Sequence, residues 1–208
     1  TNPSYVLYYY SSLNGTPQLS ITPSTANVGS SSYYVAEAVS GSCIGPKKEI
    51  VVTVNALPVL TLDSKTDVLC YGTSTASINI TTTGGVAPYT YTWTKDGNPF
   101  AATTEDLVNI EAGVYVLTVK DSKSCSSTQL TTTINQPAAA LSLASSSKTD
   151  ASCFGTSTGS VTAGEVTGAV GTVIYSWKNA NNVEVGTTAI VNGLPIGTYT
   201  LTITDNCT

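Results

Sequence analysis

The chain has 208 residues, of which 10% are charged, with a formal net charge of −5 and no histidine. All eight basic residues are lysines, scattered singly apart from Lys47-Lys48, and this excludes the clustered positive face that nucleic-acid binding requires. No apolar run approaches the roughly 20 residues of a membrane-spanning helix, and no charged-then-apolar start marks a signal peptide, so for a secreted protein the export signal is expected to lie outside these residues.

Helix is hard to find: no window carries a 3.6-residue apolar period, and Gly, Pro and Ser-Thr clusters interrupt the chain too often. Thr, Val, Ile and Tyr dominate instead, the composition of a half-buried pleated surface. Residues 1–57 hold the stretch SYYVAEAVSGSC at 32–43 and a closing strand at 49–54. A short proline-marked joint follows at 54–58. Strands are then predicted at 59–62, 76–82, 89–95, 106–110, 114–120 and 129–134, with a weaker one at 98–103 that would make seven. Tyr89, Tyr91 and Trp93 alternate with threonines, so the aromatics share one face of their strand. The joint at 134–137 again ends in proline, which fixes its own φ and makes a stiffer link than Gly-Ser.

The strongest signal is an internal repeat. KTDVLCYGTSTASI at 65–78 returns as KTDASCFGTSTGSV at 148–161, YTW at 91–93 as YSW at 175–177, and IEAGVYVLTVKD at 110–121 as LPIGTYTLTITD at 194–205. These matches define a preceding segment (1–57), a first repeat (58–137) and a second repeat (138–208) that lacks the counterpart of 128–136, a predicted last strand. The bulky pairs Tyr91 with Trp93 and Tyr175 with Trp177 are expected core aromatics, since antiparallel sandwich strands need an inward apolar face. An exposed glycan-binding platform would have the same pattern.

Five cysteines occur in a chain without Met or His, isolated by tens of residues. Metal binding draws on Cys and His at short spacing, so disulfides in an oxidising compartment are the expectation. Cys70 precedes the second strand of its repeat and Cys125 follows the sixth. A Cys70–Cys125 bond would join two loops at one pole, and by the repeat Cys153 would pair with Cys207. Each would close a loop worth about 4 kcal/mol by chain-entropy reasoning.

The pattern Ile110-x-x-Gly113-x-Tyr115, repeated as Leu194-x-x-Gly197-x-Tyr199, resembles the tyrosine corner of immunoglobulin and fibronectin type III sandwiches. It implies an all-β fold of tandem β-sandwich modules, expected as an elongated array, with Tyr115 and Tyr199 in a structural role. KTDxxC[YF]GTST, the aromatic strand and the closing G-x-Y-x-L-T-[VI]-x-D before a Cys together resemble the SprB repeat over residues 58–208. That repeat is found in very large cell-surface adhesins of gliding bacteria that use type IX secretion. The second repeat departs at 168–173, where GAVGTV replaces GGVAPY. Residues 1–57 resemble the second half of an Ig-like domain, in which the late Cys pairs with one near the domain start. Cys43 is therefore expected to have no partner within these residues.

The resemblance implies an extracellular, surface-attached stalk whose parent protein is associated with the outer membrane. Its implied partners are neighbouring repeats and, through other parts of the parent, motility or secretion machinery. Extracellular polysaccharide is a further candidate partner. No cofactor and no catalytic residue is expected. Without His no Ser-His-Asp or Cys-His arrangement exists, and the acids Asp63, Asp67, Asp96, Glu105, Asp106, Glu111 and Asp121 fall mostly at predicted turns. Asp121 and Asp205 occupy equivalent turns, read as solvated turn residues in preference to cation ligands. The competing readings are a carbohydrate-binding array and a spacer in a secreted multidomain enzyme.

Overall fold

The computed structural model describes residues 5–39 and 43–207, and among these the chain is all-β. It divides into two compact units: residues up to Leu60 with Thr82–Thr90 and Val119–Thr128, and Thr61–Thr81 with Tyr91–Thr118 and Gln129–Thr208.

The first sheet contains β1 (Tyr5–Tyr10), β2 (Gly29–Val39), β3 (Cys43–Ile44) and β4 (Lys48–Val54). β2 is its centre, paired antiparallel with β1 from Tyr5↔Val39 to Tyr10↔Tyr34 and with β4 from Gly29↔Val54 to Val35↔Lys48. Tyr10, Ala36 and Ala38 are buried. The Lys47 ammonium lies 3.7 Å from the Tyr10 ring centroid, a cation held over the negative face of the ring.

The first repeat comprises β5 (Val59–Thr66), β6 (Ala76–Thr83), β7 (Thr90–Lys95), β8 (Asn98–Phe100), β9 (Leu107–Ile110), β10 (Gly113–Lys120) and β11 (Leu130–Ile134). They form two sheets, ordered β5-β6-β9 and β11-β10-β7-β8. Alternation along each strand decides which side chains face inward. Ala76, Ile78 and Ile80 come from β6, Trp93 from β7, and Tyr115, Leu117 and Val119 from β10, all buried. β7 and β8 are joined by Asp96-Gly97, both at positive φ (51° and 79°), the backbone that a tight two-residue hairpin demands and Asp-Gly supplies.

The second repeat comprises β12 (Ser142–Leu143), β13 (Ser147–Thr149), β14 (Gly159–Thr162), β15 (Val166–Thr167), β16 (Ile174–Asn179), β17 (Glu184–Gly186), β18 (Ile190–Leu194) and β19 (Tyr199–Thr204). Its main sheets are β13-β14-β18 and β17-β16-β19, with β12 paired to β15. The single strand β5 of the first repeat is thus split into β12 and β13. The core is Trp177, Val191 and Leu194, with Val161, Val185, Tyr199 and Leu201 packed against it. The four-stranded sheet of the first repeat has only three strands here, because β11 has no counterpart among the described residues.

Candidate functional site

The aromatic stripe is where a glycan platform would lie. Trp93 and Trp177 are only 1% and 3% exposed, and their indole N–H groups donate to the carbonyls of Thr104 (2.9 Å) and Thr188 (3.1 Å). A buried, hydrogen-bonded indole has neither face nor donor left for a sugar. Tyr91 and Tyr175, expected in the core beside them, are half-buried. Each is the second residue of its strand, at the end of the sheet, where it is covered on fewer sides.

The tyrosine hydroxyls reach back four residues. Tyr115 Oη donates to the Glu111 carbonyl at 3.0 Å and Tyr199 Oη to the Pro195 carbonyl at 2.9 Å. Around Tyr115 the packing is complete: Phe100 meets its ring edge-on at 5.4 Å and Lys95, which donates to Glu111 at 2.7 Å, lies 5.9 Å from the ring centroid. Burial pushes the Tyr115 hydroxyl above the usual tyrosine range. Tyr199 is only half-buried, as are Leu201 and Ile203.

The KTDxxCxGTST motif folds into the same turn in both repeats. Thr73 Oγ1 donates to the Cys70 carbonyl at 2.9 Å and Thr156 Oγ1 to the Cys153 carbonyl at 2.7 Å. Thr75 Oγ1 accepts from Leu69 N–H at 3.1 Å, as Thr158 Oγ1 does from Ser152 N–H at 2.9 Å. The motif's threonines thus serve the turn, replacing backbone partners. In the first repeat Asp67 also accepts from the Asn135 backbone N–H (2.9 Å), from Lys65 (3.0 Å) and from the Asn135 amide (3.2 Å). The first of these contributes most to holding its pKa at about 2. Lys148 and Asp150 are in contact in the second repeat, both well exposed.

At the opposite ends of the strands the structure corrects an expectation. Asp121 and Asp205, read as solvated, are 5% and 7% exposed. Asp121 Oδ2 accepts from Val86 N–H at 3.0 Å, and its Oδ1 accepts from Lys123 and Cys125 N–H, each at 2.9 Å. Asp205 accepts from Val170 and Cys207 N–H, each at 2.9 Å. Burial works to raise the Asp121 pKa, but the Cys125, Val86 and Lys123 donors together hold it below the ordinary range. A carboxylate that accepts three backbone N–H bonds can be buried because its lone pairs are satisfied. The chain entering each repeat packs on this turn: a Cβ added at Gly84 (φ +68°) would lie 2.6 Å from the Leu57 carbonyl, and one at Gly168 (φ +71°) would strike that of Ala140. The variant loop at 168–173 therefore keeps the clasp, losing only the Tyr89 hydroxyl bond to the Gly84 carbonyl, for which Val173 offers no group.

The cysteines differ from expectation more sharply. The bond is Cys70–Cys207, Cα–Cα 5.6 Å, while Cys43, Cys125 and Cys153 are free thiols. Neither Cys70–Cys125 nor Cys153–Cys207 forms. The turn carrying Cys70 lies beside the end of the first repeat, where Gly72 N–H donates to Gln136 Oε1 at 2.9 Å. It is the terminal loop of the second repeat that meets it there. Repeat equivalence identifies which cysteines correspond but not which loops touch.

Residues 62–98 and 145–182 match the SprB repeat family. Two stretches of the chain are thus similar to the SprB repeat. The matched stretches span the Cys turn through the aromatic strand of each repeat, whereas Tyr115, Asp121, Tyr199 and Asp205 lie beyond them. A decoration protein of Escherichia phage T5 is 45% identical over 67 residues, 28% of this chain and 41% of that protein. The chain thus spans less than half of that relative's length. The crystal structure of the N-terminal eight Ig domains of Down Syndrome Cell Adhesion Molecule, isoform 1.30.30, aligns over 93% of this chain and 28% of its own at 19% identity and a TM-score of 0.40. A likeness of that size carries no argument, and the sandwich assignment of the two repeats rests on their strand order and buried faces.

Among the described residues no three His, Cys, Asp or Glu side chains gather as a metal site, and no helix is long and apolar enough to cross a membrane. Asp67, Asp96, Asp106, Asp121 and Asp205 accept backbone N–H donors, Asp63 accepts from the Thr81 hydroxyl, and Glu111 pairs with Lys95.

Proposed function

We propose that this chain is a non-catalytic spacer segment of a large, repeat-containing cell-surface adhesin that serves surface attachment and gliding motility after type IX secretion. The observation that carries the reading is the Cys70–Cys207 bond, which ties the first SprB repeat covalently to the second. A staple between modules resists their separation under load, whereas one within a module only stabilises that module. The buried Asp121 and Asp205 clasps support the same reading, since each sits where the chain entering its repeat packs onto it. Burial of both tryptophans keeps the bulkiest aromatics of the repeats out of any sugar platform, which supports the spacer over a carbohydrate-binding array.

An extended spacer is tested by small-angle scattering. The seven strands of the first repeat carry its termini to opposite poles, so an extended array is expected. A radius of gyration near that of one globular domain of this length, about 17 Å, would overturn it. Tight binding to a panel of extracellular polysaccharides would favour a lectin-like role instead.

A further inference from the structure

The second repeat has an open groove of about 500 Å³, lined by Val161, Leu194, Tyr199, Phe154 and Ile196 among others. Phe154 and Ile196 are 107% and 93% exposed, a poor arrangement for two large apolar side chains at one rim. One wall is β19, the edge of its sheet. An edge strand presents unpaired backbone N–H and C=O groups and so is a template for another strand.

The first repeat shows what fills the same place. There β11 pairs antiparallel with β10, from Gly113↔Ile134 to Leu117↔Leu130. Ile134 and Thr132 are buried at 2% and 4%. Beyond the strand, Asn135 engages Val68 N–H through its carbonyl (2.9 Å) and Asp67 through its amide, and Gln136 accepts from Gly72 N–H. The consequence is visible on the facing strand: Tyr115, Leu117 and Val119 are all 0% exposed, while their counterparts Tyr199, Leu201 and Ile203 are half-buried. Asp150 and Gly155 stand at the positions of Asp67 and Gly72.

We infer that this groove is a β-strand acceptor site. Its occupant is an extended polypeptide of the pattern Leu-x-Thr-x-Ile-Asn-Gln, added antiparallel to β19. Main-chain bonds to residues 197–201 supply the affinity, and three side-chain positions supply the selectivity: Ile against Tyr199 and Leu194, Asn at Asp150 and Gln at Gly155. This is strand addition to a sheet edge, and it holds whether or not the chain belongs to an adhesin.

The test appends a copy of residues 127–136 after Thr208 in the full chain, beside a control whose copy of Ile134 is Asp. The active extension should raise the melting temperature and slow amide exchange within residues 197–201 by at least about tenfold, the mark of a newly paired strand. The Asp control should leave both as in the parent chain. Equal behaviour of the two extensions, or unchanged exchange at 197–201 with the active one, would overturn the inference. Neither result bears on the spacer reading, which scattering decides.

Discussion

The Asp121 carboxylate accepts the backbone N–H of Val86 at 3.0 Å across 35 residues of sequence, and Asp205 holds Val170 in the same way at 2.9 Å. In both repeats the chain beside that bond also returns a donor, Ser122 N–H to the Val86 carbonyl at 2.9 Å and Asn206 N–H to that of Val170 at 3.2 Å. The two loops are thus locked by a reciprocal pair. Replacing Asp121 with Asn puts an NH2 group against one of the N–H donors, since only one amide atom can accept. Asp121→Asn should lower the melting temperature more than Tyr115→Phe does. A thermal melt of the two variants side by side checks this.

The two tyrosine corners should differ in worth. Tyr115→Phe removes a hydrogen bond made by a fully buried tyrosine and should cost about 1–2 kcal/mol. Tyr199→Phe removes the same bond where water can replace it, and should cost about 0.5 kcal/mol or less. Denaturant titration of both variants measures the difference, and equal losses would mean that burial of the corner is irrelevant to its strength.

The cross-link is open to direct mapping. Non-reducing proteolysis should yield one peptide pair containing Cys70 and Cys207, with Cys125 and Cys153 alkylated without reduction. The bond closes a separation of 137 residues, for which chain entropy gives a stabilisation of about 5 kcal/mol. Cys207→Ser should therefore lower the melting transition and leave the Cys70 thiol titratable. A peptide joining Cys70 to Cys125 would contradict the structure.

Acid should weaken the first repeat in a defined window. The Asp67 pKa is lowered from 3.8 to about 2 in the folded chain, so the folded state favours its ionised form. Its contribution is complete above the unfolded value and is lost as pH falls from roughly 4 through 2. Asp121 shifts in the same direction. Stability measured across that range should fall, and Asp67→Asn should flatten the slope.

The local features of this protein were legible in its sequence because they depend on neighbours along the chain. Alternating Tyr91 and Trp93, the Asp96-Gly97 turn, the G-x-Y-x-L pattern at Tyr115 and Tyr199 and the repeated Cys turn each announce an element through spacing or backbone preference. The positions of the seven strands in the first repeat followed from those signals, with β5 running on into the Lys65-Thr66 pair. What only the tertiary structure decided is which distant groups meet. The repeat pattern pairs Cys70 with Cys125, whereas contact between the Cys70 turn and the terminal loop of the second repeat selects Cys207. Asp121 looks like any turn aspartate until the 84–86 loop closes over it and delivers the Val86 donor. The groove beside β19 arises in the same way, since whether Tyr199 and Leu201 are covered depends on a strand lying next to them and not on the residues of β19 itself.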